Sequence, residues 1–363
     1  MTILSPASVG RRVLIVDDSA AYRQVLTRAL ERVDGLTVLG AVGTLALARA
    51  RIERGDVDAI TLDIALRGES GLDLLQWLRQ NHPSVLVVLV SGGASGAAAQ
   101  ALFLGAALVA KPSGPDAEQQ LRSALERELT AGLRYGARQR NTQTIRSNPG
   151  LAATVGRSLA GPARRELIAI GASTGGPPVL LKLLQSLPAA FEVPLVIVQH
   201  MPASHVGYFV ELLAQQSGRN VLLAKHGALL EPSTTYVAGD AKHLRIARQR
   251  GRLVMQQDDG PAEHHCKPAV DPLFRSVAAT CGAAVVGVIT TGMGSDGALG
   301  ALALRAAGAP VVVQDAASSV VWGMPGAAVA AHAVDVIVPG FSLASTIDAW
   351  TTGRKSFDEE SRT

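Results

Sequence analysis

The chain has few aromatics, little cysteine and no long apolar run. Phe, Trp and Tyr make up 4% of its 363 residues. No aromatic-basic surface of the kind that reads nucleic acid can be traced, and no reading-helix motif accompanies it. Two cysteines, Cys266 and Cys281, do not make a disulfide framework. No apolar stretch reaches the roughly 18 residues that crossing a bilayer requires. The N-terminal stretch Met1 to Arg12 lacks a hydrophobic region and a cleavage site, so it does not read as a signal peptide. These absences lead to the expectation of a cytoplasmic protein with no membrane insertion.

Acidic residues are missing from one place. Between Arg134 and Arg165 there are seven arginines and no Asp or Glu. The whole chain carries a formal charge of +4. Without that stretch the remainder carries −3. The positive charge thus belongs to one segment, which argues against a folded nucleic-acid-binding face. The segment is rich in Arg, Asn, Gln, Gly and Ser, with Pro149 and Pro162 and weak periodicity. Residues 134–165 therefore read as an exposed linker.

What is plentiful is apolar and small. Of the residues, 48% are hydrophobic, dominated by Ala, Val and Leu, and glycine is abundant. That composition suits layered α/β folds, and the length suits two or three domains. The stretch Leu167 to Gly176, L-I-A-I-G-A-S-T-G-G, is the one around which the rest is organised. A buried parallel strand ends at Gly171, Ser173 sits in a glycine-flanked turn, and a helix with Pro177 and Pro178 in its first turn follows. A serine there has its hydroxyl lifted out of the sheet, facing free helix-start N–H groups. Gly171, Ser173 and Gly175 match G-x-S-x-G, the pattern of a nucleophile elbow. The plain alternative is a turn whose serine caps the helix.

Ahead of it, residues 11–133 give five strand–helix units, an open parallel sheet with crossovers on both faces. The strands end in Asp17-Asp18-Ser19, Asp63, Ser91-Gly92-Gly93 and Lys111-Pro112. Asp17, Asp18 and Asp63 would converge at the carboxyl edge. Such carboxylates repel by about 1 kcal/mol per pair at 4 Å in water and about 4 at an effective dielectric of 20. A hard cation such as Mg²⁺ would hold them together. With Asp63 as nucleophile and Lys111 as countercharge, the set suits phosphoryl transfer to an aspartate, and Ser91 could hydrogen-bond the phosphoryl group. The plain alternative is a solvated helix start and a surface lysine.

The pieces V-L-I-V-D-D-S, L-D-I with Gly71, V-S-G-G and A-K-P resemble the receiver domain of response regulators. The resemblance implies phosphorylation at Asp63, Mg²⁺ on Asp17 and Asp18, and Ser91 and Lys111 as the switch pair. Three positions depart from the pattern. Leu66-Arg67 stand in place of a Met-Pro pair, and Leu108 stands at the aromatic switch position.

Residues 166–350 read as a second α/β domain, with a polar tail at 351–363. Strand Pro194 to Val198 runs into Gln199-His200-Met201-Pro202, and strand Ala284 to Ile289 into T-T-G-M-G-S-D-G. A helix is expected from Arg275 to Cys281. Ser173, His200 and Asp296 thus all follow strands, a Ser-His-Asp constellation recognised by role. Backbone N–H groups near Thr174 and Met293 could form the oxyanion hole. His264, His265 and Cys266 lack paired zinc spacing and read as cleft residues, and Cys281 as a core residue.

G-A-S-T-G-G, Q-H-M-P, V-D-P-L-F-R-S-V, T-G-M-G-S-D-G-A and W-G-M-P-G, in this order, resemble the catalytic domain of the chemotaxis protein-glutamate methylesterases, CheB. The resemblance implies hydrolysis of glutamate methyl esters, and deamidation of certain glutamines, on methyl-accepting chemotaxis receptors. It also implies a chemotaxis-type histidine kinase as phosphodonor and no cofactor for the esterase. A receiver covering the Ser173 cleft until phosphorylated would couple the halves. The competing readings are a non-catalytic receiver-gated regulator, a hydrolase of an unrelated ester, and an esterase of a surface-sensing pathway.

Overall fold

The computed structural model describes residues 10–93, 95–142 and 165–352. The chain divides near Arg138 into two compact units.

The first unit alternates strands and helices. Its elements are β1 (Arg11–Val16), α1 (Ala20–Glu31), β2 (Leu36–Val42), α2 (Leu45–Ile52), β3 (Ala59–Leu62), a small hairpin of β4 (Ala65–Leu66) and β5 (Glu69–Ser70), α3 (Gly71–Asn81), β6 (Leu86–Ser91), α4 (Gly96–Phe103), β7 (Ala107–Ala110) and α5 (Ala117–Thr142). The five long strands pair in parallel in the order β2-β1-β3-β6-β7. Successive strands with apolar residues on both faces require a layer of helices on each side. Leu14, Ile60 and Leu89 pack toward α2, α3 and α4. Val13, Val88 and Val109 pack toward α1 and α5. Side-chain caps start four of the helices: Ser19, Thr44, Ser70 and Ser95 each accept a backbone N–H two or three residues ahead.

The second unit contains β8 (Leu167–Ala172), α6 (Gly176–Ser186), β9 (Leu195–Gln199), α7 (Ala203–Ser217), β10 (Asn220–Leu223), β11 (Thr234–Val237), the hairpin β12 (His243–Gln249) and β13 (Arg252–Asp258), α8 (Val270–Cys281), β14 (Val285–Ile289), α9 (Ala298–Ala306), β15 (Val311–Gln314), α10 (Gly323–Ala330), β16 (Val336–Val338) and α11 (Leu343–Thr352). Seven parallel strands lie in the order β10-β11-β9-β8-β14-β15-β16. The chain steps from β8 to β9 on one side and later to β14 on the other. Strand order thus reverses around β8, the place where open α/β sheets form a crevice at their carboxyl ends.

Both units have the expected α/β architecture. Some boundaries differ. The last helix of the first unit continues past Leu133 to Thr142, nine residues into the stretch read as linker, because Ala, Leu, Arg and Gln are good helix formers. Of the rest of that stretch, residues 143–164 lie outside the described residues, and Arg165 is buried rather than exposed, its guanidinium donating to Trp350 O and Ala283 O. Helix α8 begins at Val270 rather than Arg275, since Pro272 falls in its first turn, where proline is tolerated. Helix α10 has no counterpart among the expected elements, because its G-M-P-G start reads as a turn. Helix α11 ends at Thr352, and residues 353–363 of the polar tail lie outside the described residues. Among the described residues, no helix is long and apolar enough to cross a membrane.

Candidate functional site

Three neighbouring strands deliver three side chains to one edge. Ser173 follows β8, His200 follows β9, and Asp296 lies in the turn after β14. Backbone pairing fixes their relative height. His200 N–H donates to Ala172 O at 2.9 Å, and Ser173 N–H donates to Thr291 O at 3.1 Å. Gly292 passes so close to Ser173 that a Cβ built on it would lie 2.7 Å from the serine Cβ.

The serine does not cap its helix. The N-cap of α6 is Gly175, with φ of 79° and no side-chain hydrogen bond. A side chain there would be strained in φ and would strike Val320 at 2.6 Å. Helix α9 begins likewise on Gly297, with φ of 90° and no side-chain cap. Ser173 is 8% exposed, and among the described residues its hydroxyl has no hydrogen-bond partner. The turns holding Thr174 and Met293 flank it. Ser173's own N–H is already engaged by Thr291.

His200 Nε2 and Asp296 Oδ2 are 2.8 Å apart. Asp296 is 1% exposed, and the start of α8 satisfies it. Val270 N–H donates to Oδ2 at 2.7 Å and Asp271 N–H to Oδ1 at 2.9 Å. The carboxylate thus caps a helix N-terminus, where the dipole favours negative charge. Burial opposes its charge, but His200 and these N–H groups outweigh burial and hold its pKa below the usual carboxylate range. Burial likewise opposes charge on His200. The hydrogen bond to Asp296, with the Cys266 side chain nearby, overcomes it and pushes the imidazole well above its ordinary value.

Sequence reasoning missed part of this surround. Asp271 is fully buried beside Asp296. Its Oδ1 accepts Gly300 N–H at 2.6 Å, and its Oδ2 faces His264 Nε2 at 2.9 Å. Burial, with the charge of Asp296, raises the Asp271 pKa despite Gly300 and His264. Of the three candidate cleft residues, Cys266 meets His200, His264 meets Asp271, and His265 is exposed. No spacing signal could have joined Asp271 to Asp296. Cys281 is half-buried against the core.

The first unit forms a second site at its own carboxyl edge. Asp17 is buried, with Oδ1 accepting Ser19 N–H at 2.8 Å and Oδ2 accepting Lys111 Nζ at 3.1 Å. Lys111 Nζ also donates to Asp63 Oδ2 at 2.6 Å, and Ala65 N–H to Asp63 Oδ1 at 3.2 Å. Burial raises the Asp17 pKa in spite of Ser19 and Lys111. Burial lowers that of Lys111, but Asp63 and Asp17 reverse this and raise it. Ser91 Oγ donates to Gly93 O at 3.0 Å. Arg67 Nε lies 3.4 Å from Asp18 Oδ2. The Lys111 ammonium sits 4.2 Å from the centre of the Tyr22 ring, a contact with no signal in the sequence. Oxygens of Asp17, Asp18 and Asp63 lie within 4.8 Å of one another. Such a hard donor set fits Mg²⁺.

Comparison with known proteins agrees with this two-part layout. Residues 168–347 match the family model "CheB methylesterase", and residues 13–126 match "Response regulator receiver domain". A protein-glutamate methylesterase/protein-glutamine glutaminase 2 of Xanthomonas oryzae pv. oryzae is 42% identical over 350 residues, covering 93% of this chain and 96% of the relative. A protein-glutamate methylesterase/protein-glutamine glutaminase 1 of Caulobacter vibrioides is 39% identical over 347 residues, covering 93% of this chain and 96% of the relative. The crystal structure of the Thermotoga maritima CheB methylesterase catalytic domain matches at 31% identity with a TM-score of 0.49, covering 50% of this chain and 97% of that one. The chain belongs to the CheB family of receiver-bearing protein-glutamate methylesterase/protein-glutamine glutaminases.

Proposed function

We propose that the protein is a phosphorylation-controlled hydrolase of methyl-accepting chemotaxis receptors, in which Ser173, His200 and Asp296 form the catalytic triad. The observation that carries the reading is the His200–Asp296 pair at 2.8 Å, on strands adjoining the one that delivers Ser173. Asp296 holds Nε2, so Nδ1 is the nitrogen left for proton transfer.

Ser173 Oγ attacks the carbonyl carbon of a glutamate methyl ester, and His200 takes the hydroxyl proton. The resulting oxyanion is stabilised by backbone N–H groups of Thr174 and Met293, where each such donor is worth about 3–4 kcal/mol. Collapse breaks the carbon–oxygen bond to the methoxy group, which leaves as methanol with the proton from His200. Water, deprotonated by His200, then attacks the acyl-serine, releasing glutamate and restoring the hydroxyl. A glutamine follows the same course with ammonia leaving, because only the leaving group differs.

In the receiver, Asp63 accepts the phosphoryl group from a chemotaxis-type histidine kinase. Asp17, Asp18 and Asp63 would hold Mg²⁺, which when bound offsets the charge of the phosphoryl oxygens. Lys111 exchanges its bond to Asp63 for one to a phosphoryl oxygen, and Ser91 turns from Gly93 O toward another. The unphosphorylated receiver restrains the esterase, and phosphorylation lifts the restraint.

The test is methanol release from methylated receptor by wild type and Ser173→Ala, each with and without a small-molecule phosphodonor and Mg²⁺. The expected result is release that needs Ser173 and rises with phosphodonor. No release from folded wild type would overturn the esterase assignment. Release indifferent to phosphodonor would overturn the control.

A further inference from the structure

The parallel ladder between β8 and β9 ends at the pair Ala172 and Gln199, followed by one last bond from His200 N–H to Ala172 O. Beyond that point the chains diverge. Ser173 turns into α6 and His200 leaves toward α7. The nucleophile therefore stands past the end of the backbone bonding between these strands, and the base makes its last bond.

One side chain spans the gap. Gln199 is 3% exposed, and its Nε2 donates to Ser173 O at 2.9 Å and to His200 O at 3.0 Å. The two hydrogens of one amide group thus tie the carbonyl of the nucleophile to the carbonyl of the base. Ser173 O also accepts Gly176 N–H at 2.8 Å, which closes the turn. The reverse amide orientation would set an oxygen against both carbonyl oxygens, so the network fixes which end faces them.

The arrangement is held at a cost. Gln199 Oε1 is buried and has no hydrogen-bond partner among the described residues. Leaving such an acceptor unsatisfied is unfavourable. The same oxygen lies over Gly176 at the start of α6, where an added Cβ would be only 2.2 Å from it. A leucine of similar size would relieve the buried acceptor but lose the tie.

We propose that Gln199 is a positioning residue of the esterase, fixing the separation of Ser173 and His200 through their backbone carbonyls. The proposal rests on the triad reading above. It acts through geometry, since a displacement of about 1 Å in a reacting pair can cost on the order of 100-fold in rate.

The experiment compares wild type, Gln199→Leu and Gln199→Met for kcat and KM of methanol release, and for phosphonylation of Ser173 by a fluorophosphonate probe. Both variants keep the volume and lose the amide. The expected result is a kcat lower by about 10- to 100-fold, with KM changed less than about twofold and slower phosphonylation, in variants that melt cooperatively. Wild-type kcat and labelling in either folded variant would overturn the proposal. Should neither variant fold, proton exchange of the Gln199 side-chain amide in wild type decides. Protection of both hydrogens supports the tie, and exchange at the solvent rate removes it. If wild type itself neither releases methanol nor labels at Ser173, the triad reading has failed instead.

Discussion

Both sheets present their chemistry at the carboxyl ends of central strands, but they settle the charges there in opposite ways. In the second unit Asp296 has a partner at each oxygen: His200 and Val270 at Oδ2, Asp271 at Oδ1. Its charge is balanced inside the fold by fixed dipoles and one imidazole. In the first unit three carboxylates gather together, two of them on one ammonium and the third beside a largely exposed guanidinium. That site is left electrostatically incomplete, as a site must be if a cation and a phosphoryl group are to enter it. The helix starts differ too. Four helices of the first unit are closed by Ser and Thr side chains at their own N-caps, whereas α6 and α9 begin on glycine: at α6 the Gly176 N–H closes on Ser173 O and Pro177 and Pro178 carry none, and at α9 the Gly300 N–H goes to the Asp271 carboxylate.

The contrast can be broken first at its most preorganised point. Asp296→Asn keeps the shape but loses the anion that fixes and stabilises His200, and should lower kcat by about 10⁴-fold. Steady-state methanol release from a variant with a cooperative melting transition checks it. A loss below tenfold would mean that the charge at Asp296 is dispensable.

The opposite end of the comparison is tested with Asp63→Asn. It should abolish labelling by a small-molecule phosphodonor and with it the entire activation by phosphodonor. Intact-mass spectra with and without phosphodonor check it, and phosphoryl transfer at another residue would contradict the assignment.

The third test is the pH dependence of kcat/KM. Against the effect of burial, Asp296 at hydrogen-bond distance and the nearby Cys266 side chain favour the imidazolium, so the free base forms only above the ordinary imidazole range. Activity should therefore rise with pH along a limb whose midpoint exceeds 6.5. Cys266→Ala removes one of the contacts that raise the pKa, so the limb should move to lower pH. A limb that stays in place or moves upward would count against the contact.

The smallest effect belongs to Arg67. It is 88% exposed at 3.4 Å from Asp18 and competes with any cation for that carboxylate. An exposed pair is worth about 0.2–1 kcal/mol, so Arg67→Ala should tighten Mg²⁺ binding by up to about fivefold. Calorimetric titration with Mg²⁺ reads this directly, and weaker binding would reverse the reasoning.

Much of the fold and of both sites is legible in the residues alone. Each apolar strand run is short and ends in a polar residue, so Asp17, Asp63, Ser91, Lys111, Ser173, His200 and Asp296 can be placed at or near strand ends from the sequence. The acidic and Ser-His-Asp chemistries follow from residue type. Other features give no local signal. Asp296 caps the N–H groups of Val270 and Asp271 from 26 and 25 residues away, and Tyr22 meets Lys111 across the first unit. Gln199 reads as an ordinary strand end until its side chain is seen to bridge two carbonyls. Whether Ser173 caps its helix is also open from the sequence, because a glycine-flanked serine turn suits a helix cap as well as a nucleophile elbow.

The sequence by itself determined the strand–helix alternation, the side chains at the strand ends and the chemistry those residue types can perform, because periodicity and turn residues act locally. Only the tertiary structure decided which strands became neighbours. His200 and Asp296 are 96 residues apart. They meet because the strand order reverses around β8, and that order is set by how helices cover both faces of the sheet, a property of the whole packed unit.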